Sequence, residues 1–138
     1  MKAYVDSSVV LRIVFGEPHA LKLSQNLEYM IASEILKIEC FRTIDRMRHS
    51  LRLDDKDVSE RSALLFKAIK TIRFVKLSNE IAWRASQPFP TTIKTLDAIH
   101  LSTAILWQQG EGSQLSFLTH DIQLGRTARA VGFEVLGC

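Results

Sequence analysis

The sequence predicts an α/β fold built on a mainly parallel central sheet. Two observations carry that expectation. Short apolar runs of strand length ("KAYV", "YMIAS", "RFVKL", "LSFLT", "FEVL") recur along the chain, and stretches with helical periodicity separate them. Strands that are apolar throughout, rather than alternating, suit a sheet covered on both faces. At 138 residues, 46% of them hydrophobic, the chain fits one domain spanning 1–138 with a sizeable core.

The elements follow in order. "KAYVD" is a strand ending at Asp6, and "SSVVLRIVFGEP" is a helix stopped by Gly16 and Pro18, with Ser7 or Ser8 as N-cap. A second helix is expected over "HALKLSQNL", followed by the strand "YMIAS". Residues 33–51 form the clearest amphipathic helix, with Leu36, Cys40, Ile44, Met47 and Leu51 on one stripe. Another helix covers 57–72, with Val58, Leu65, Ile69 and Ile72 as its apolar face. "RFVKL" is a strand, "SNEIAWRAS" a helix capped by Ser78, and "QPFPTTIK" a loop. From Leu96 a helix runs that is apolar nearly all the way round. "LSFLT" is a strand, "DIQLGRTARAVG" a helix closed by Gly132, and "FEVL" a last strand.

That apolar helix contains an anomaly, Asp97, on the same face as Leu101 and Ala104. Burying an unpaired carboxylate costs several kcal/mol, so something should receive it. Three further acids matter, because ligand sites in such folds lie beyond the carboxyl ends of the strands. Asp6 ends the first strand, Asp121 follows "FLTH", and Glu39 borders the apolar stripe of its helix. If the four converge, each pair about 5 Å apart repels by about 3 kcal/mol at an effective dielectric near 20. A cation would relieve this, and oxygen-only ligands suit Mg²⁺ or Mn²⁺. Each acid also has an ordinary reading: Asp6 starts a helix, Glu39 pairs with Arg42, and Asp121 caps the last helix.

"YVDSSVV" at 4–10, "IECFR" at 38–42, "TLDAIHLSTA" at 95–104 and "FLTHD" at 117–121 together resemble the PIN domain, and within it the VapC-type toxin ribonucleases of toxin–antitoxin pairs. The resemblance spans essentially the whole chain. It implies a three-layer α/β/α sandwich with Asp6, Glu39, Asp97 and Asp121 as metal-binding and catalytic acids, Asp6 and Asp97 being the central pair. It also implies an Mg²⁺-dependent endoribonuclease, a VapB-like antitoxin partner and a homodimer. The alternative is a non-catalytic PIN-like module that binds RNA or protein. A receiver-type domain and an Asp-x-Asp phosphatase are disfavoured, the latter because residue 8 is Ser8.

Ser8 and Thr119 are candidates to support the carboxylates. Arg12, Lys37, Arg42, Arg46 and Lys94 are candidate contacts to RNA phosphates or to an antitoxin, with Arg42 and Arg46 on the same side of their helix as Glu39. The chain carries 18 basic and 15 acidic residues; without the four acids the balance is 18 to 11, or +7, which would attract a polyanion. His100 lies about 60° round the helix from Asp97 and reads as a hydrogen-bonded core residue rather than a ligand. Cys40, Trp83 and Trp107 read as core, and "GEGS" at 110–113 as a turn. Cys40 and Cys138 form no disulfide framework. No apolar run reaches membrane-spanning length and "MKAYVD" carries no signal-peptide pattern, so cytoplasmic residence is expected.

Overall fold

The computed structural model describes residues 1–138. Five strands, β1 (Lys2–Val5), β2 (Tyr29–Ser33), β3 (Ile72–Val75), β4 (Ser116–Leu118) and β5 (Glu134–Leu136), form one sheet in the order β3-β2-β1-β4-β5. Every pairing is parallel. Six helices surround it: α1 (Ser7–Val14), α2 (Ile35–Ser50), α3 (Asp55–Ile69), α4 (Asn79–Ala85), α5 (Thr95–Glu111) and α6 (Ile122–Ala130).

Side chains alternate across the sheet. Ala3 and Val5 of β1 join Met30 and Ala32 of β2 beneath α1, α2 and α3. Tyr4, Ile31 and Phe117 point the other way, under α5 and α6. Helix α4 packs on α5 outside this layer. The sheet is therefore the middle layer of three.

The chain builds outward from β1 through β2 to β3, then returns across the sheet to place β4 on the other side of β1. The strand order thus reverses between β1 and β4. Loops leaving the carboxyl ends of these two strands diverge to opposite sides and open a crevice there.

Five local expectations are corrected, one of them at Ile72, which opens β3 instead of closing the helix expected over 57–72, since α3 ends at Ile69. Residues 19–27 form no helix: His19 takes φ +61°, Leu21 N–H donates to His120 Nε2 at 3.2 Å, and Leu27 N–H donates to Ser24 O at 3.1 Å. A helix that short is marginal by itself, so these bonds prevail. The N-cap of α1 is Asp6, with Ser7 and Ser8 already inside the helix. The apolar stripe of α2 holds through Ile44, but Leu51 lies beyond the last helical residue and is exposed. Trp83 is 71% exposed, because α4 has only seven residues and buries just Ile81. Trp107 packs against the α5–α6 core as expected. The caps at Ser78 and Asp121 form, to Ile81 N–H at 3.2 Å and Leu124 N–H at 2.9 Å.

Candidate active site

Asp6, Glu39, Asp97 and Asp121 line a single cleft of about 800 Å³ at the carboxyl edge of the sheet, where the strand order reverses. Each arrives from a different element. Asp6 is the first residue beyond β1, and Asp121 follows β4 and caps α6. Glu39 stands in the second turn of α2, and Asp97 in the first turn of α5. The N-cap of α5 is Lys94, which has no side-chain acceptor, so the opening amides of that helix gain no cap. A carboxylate in this first turn is favoured by about 0.3–1 kcal/mol.

Asp6 is 4% exposed and is held from both sides. Ser8 Oγ donates to its Oδ1 at 2.6 Å, and Thr119 Oγ1 donates to its Oδ2 at 2.9 Å. Both hydroxyls are used twice. Ser8 Oγ accepts from His120 N–H at 2.8 Å, and Thr119 Oγ1 accepts from Asp121 N–H at 3.0 Å. The end of β4 is thereby tied to the start of α1. The Asp6 backbone N–H also continues the β1–β4 ladder, donating to Leu118 O at 3.2 Å.

Glu39 makes no pair with Arg42, which turns instead to Asp45 at 3.3 Å. The Glu39 carboxylate accepts from His100 Nε2 at 2.5 Å. His100 is buried and hydrogen-bonded, as expected of a core histidine. Its contact with Glu39 could not be anticipated, because residues 61 apart in sequence share no local pattern.

The electrostatics follow from burial and like charge. Burial pushes the Asp6 carboxyl above its ordinary value, against the pull of the Ser8 and Thr119 hydroxyls. Asp97 is raised to about 6, first by burial and then by the charge of Asp121, with Asp6 and Glu39 adding to it. No Lys or Arg forms an ion pair with any of the four acids.

The basic candidates divide. Arg42, Arg46 and Lys94 line the cleft together with Thr43, Thr95 and the exposed Ile38 and Leu96. Arg46 hydrogen-bonds Thr43 Oγ1 at 3.3 Å. Arg12 pairs with Glu17 at 3.6 Å and lines an adjoining pocket of about 330 Å³, not the cleft itself. Lys37 lies over the Phe74 ring, 4.3 Å from its centroid, and is also outside the cleft.

The donor set suits a hard divalent cation: carboxylates with attendant hydroxyls, no thiolate, and no Lys or Arg paired with them. As they stand, the side chains do not close into a ready cluster of three or more ligands. They line the walls of one cleft.

Comparison with known proteins agrees with this architecture. The PIN domain family model matches residues 3–130. Among solved structures, a VapBC complex from Rickettsia felis bound to a DNA fragment from its promoter is similar, with a TM-score of 0.67 at 12% identity, covering 98% of this chain and 97% of that one. A toxin–antitoxin complex from Klebsiella pneumoniae is similar with a TM-score of 0.61 at 19% identity, covering 97% and 95%. A protein from Pyrobaculum aerophilum follows with a TM-score of 0.58 at 14% identity, covering 94% and 81%. No curated protein matches. These identities speak for shared fold, and the family match over nearly the whole length goes further: this chain belongs to the PIN domain family.

Proposed function

We propose that this protein is a metal-dependent endoribonuclease, the VapC-like toxin of a toxin–antitoxin pair, which hydrolyses RNA phosphodiester bonds. One observation carries the reading: four carboxylates from four elements line one cleft, and no Lys or Arg forms an ion pair with any of them. The structural similarity to toxin–antitoxin complexes supports the toxin assignment and a VapB-like antitoxin as partner.

In this reading Asp6 and Asp97 hold Mg²⁺ or Mn²⁺, and Glu39 and Asp121 complete the set. When bound, the cation polarises the scissile phosphate and makes a coordinated water more acidic. The protein supplies position. Ser8 and Thr119 keep both Asp6 oxygens oriented, so the central carboxylate needs no reorganisation when substrate arrives. Asp97 or Glu39 orients the attacking water and takes its proton. Arg42, Arg46 and Lys94, on the rim, draw in the RNA backbone and hold its phosphates; in the absence of RNA they face the acidic groups of the antitoxin. Arg12 extends this track into the adjoining pocket. The protein acts in the cytoplasm as a homodimer, a state that light scattering tests directly; no helix is long and apolar enough to cross a membrane.

The decisive experiment is cleavage of RNA by antitoxin-free protein with Mg²⁺ or with EDTA, beside Asp97→Asn. Cleavage that requires Mg²⁺, vanishes in the variant and leaves 5′-phosphate ends is expected. Products ending in 2′,3′-cyclic phosphate, or a variant as active as wild type, would overturn the mechanism. RNA binding without cleavage by folded, Mg²⁺-supplied protein would favour a non-catalytic binding module instead.

A further inference from the structure

Behind Glu39 a polar chain runs through the core. The backbone N–H of Ser33, at the end of β2, donates to Tyr4 Oη at 3.1 Å. Tyr4 Oη lies 2.7 Å from His100 Nδ1, and His100 Nε2 lies 2.5 Å from Glu39 Oε1. Tyr4 and His100 are 0% and 1% exposed, whereas Glu39 reaches the cleft wall with its side chain 17% exposed.

The neutral Nε2–H form of His100 satisfies every hydrogen bond in the chain. Ser33 N–H donates to the tyrosine oxygen, and in this form the tyrosine proton goes to Nδ1. That leaves Nε2–H facing the carboxylate. Every donor in the chain meets an acceptor. The Tyr4 ring is itself fixed, stacked on Phe117 with centroids 5.0 Å apart and planes 17° from parallel. His100 does not line the cleft, and its hydrogen bond toward the cleft is the one to Glu39. The arrangement also explains why Glu39 ignores Arg42, one helical turn away on the same helix.

We propose that His100, oriented by Tyr4, is a positioning residue that holds the Glu39 carboxylate toward the cation site formed with Asp6 and Asp97. The inference rests on the nuclease reading and deepens it. Groups that orient a ligating side chain typically matter 10–100-fold in metal affinity or activity. The chain should therefore be visible in cation binding alone, without turnover.

The test is Mn²⁺ affinity, read by electron paramagnetic resonance, together with kcat and KM for RNA cleavage. His100→Asn, too short to reach Glu39, should weaken Mn²⁺ binding and lower kcat by about 10–100-fold with KM nearly unchanged. His100→Gln keeps an amide N–H near the Nε2 position and should recover most of the loss. Tyr4→Phe keeps the ring and removes only the hydroxyl; a loss of a few-fold, smaller than that of His100→Asn, is expected, and this variant carries the test if His100→Asn fails to fold. In a Glu39→Gln background, His100→Asn should add nothing, since the two act as a unit. Wild-type Mn²⁺ affinity and kcat in folded His100→Asn or Tyr4→Phe protein, or an undiminished His100→Asn effect without Glu39, would overturn the proposal while leaving the nuclease reading intact. Wild-type protein that neither binds Mn²⁺ nor cleaves RNA would overturn both.

Discussion

The two sides of the sheet bury different chemistry. Beneath α1, α2 and α3 the core is aliphatic: the buried residues of those helices are Val9, Val10, Val14, Ile35, Leu36, Cys40, Ile44 and Leu65, none of which needs a hydrogen-bond partner. Beneath α5 and α6 the core holds Tyr4, Phe117 and Phe133, and the same helices bury His100, Thr103 and Thr127, each hydrogen-bonded, beside Ser102, whose hydroxyl has no partner. Polar groups inside a core are costly unless satisfied and fix orientation when they are. One side thus supplies burial. The other spends some of that burial on holding side chains in set directions, and it is the side from which Asp97 and His100 come.

The sharpest way to break this comparison is a pair of cavities. Leu65→Ala in the aliphatic core and Leu101→Ala on the buried face of α5 each remove a fully buried leucine and should each cost about 2–5 kcal/mol in urea denaturation. Only Leu101→Ala should also weaken Mn²⁺ binding at a temperature where both variants stay folded, because α5 carries Asp97 and His100. Equal effects on the cation would mean that the division of labour between the two sides is wrong.

A smaller effect comes from the seam between the strands. Thr119→Val keeps the shape but removes the donor to Asp6 Oδ2 and the acceptor for Asp121 N–H. The expected cost is about 1–3 kcal/mol, measured by thermal melting, with the Asp6 carboxyl moving still further above its ordinary value. Serine in place of Thr119 should restore most of both.

Why the aliphatic side was easier to read from sequence follows from the same contrast. Leu36, Cys40 and Ile44 announce a buried face by spacing alone, and the parallel strands announce themselves by unbroken apolar runs. Asp6, Asp97 and Asp121 were legible because strand ends and helix starts can be located in one dimension, and Glu39 because it borders the apolar stripe of α2. The Ser33–Tyr4–His100–Glu39 chain was not, since it joins β2, β1, α5 and α2 and exists only after the sheet forms. Local competition explains the failures. Residues 19–27 have helical spacing but spend backbone donors on His120 and on turns, and Glu39 has an Arg42 in reach but a better-fixed partner in His100.

The acidic cleft itself makes a pH prediction. An unfolded aspartate releases its proton near 3.8, whereas Asp97 keeps its proton up to about 6. Between these values the folded state binds more protons than the unfolded one, so stability falls as pH rises through the window and stays lower above it. Allowing for partial exposure, the loss is about 1–2 kcal/mol. Metal-free protein should therefore melt lower at pH 7 than at pH 4.5 to the extent that Asp97 decides it, and Asp97→Asn should flatten that slope. Cation affinity should run the opposite way, weakening as pH drops below about 6, because binding must displace the proton. A melting temperature of the Asp97→Asn protein that tracks wild type at both pH values would remove Asp97 as the source.

The smallest expected effect is a thiol that does nothing. Cys40 neighbours Glu39 in sequence, yet one step along a helix turns the side chain by about 100°, from the cleft into the aliphatic core. There the thiol is raised to about 12, by burial first and then by the charges of Glu39 and Asp6, so almost no thiolate exists at pH 8. Cys138 is exposed. Native protein treated with iodoacetamide at pH 8 should take up one label quickly, at Cys138, and a second only as fast as the aliphatic core opens. The second rate should rise in Leu65→Ala, whose cavity lies in the same cluster as Cys40. It should stay unchanged when Mn²⁺ is removed at constant stability, because the cation site is reached through side chains and not by opening that core. Rapid double labelling of the native state would mean that the aliphatic side is loose, and that rigidity in this domain belongs to the polar side alone.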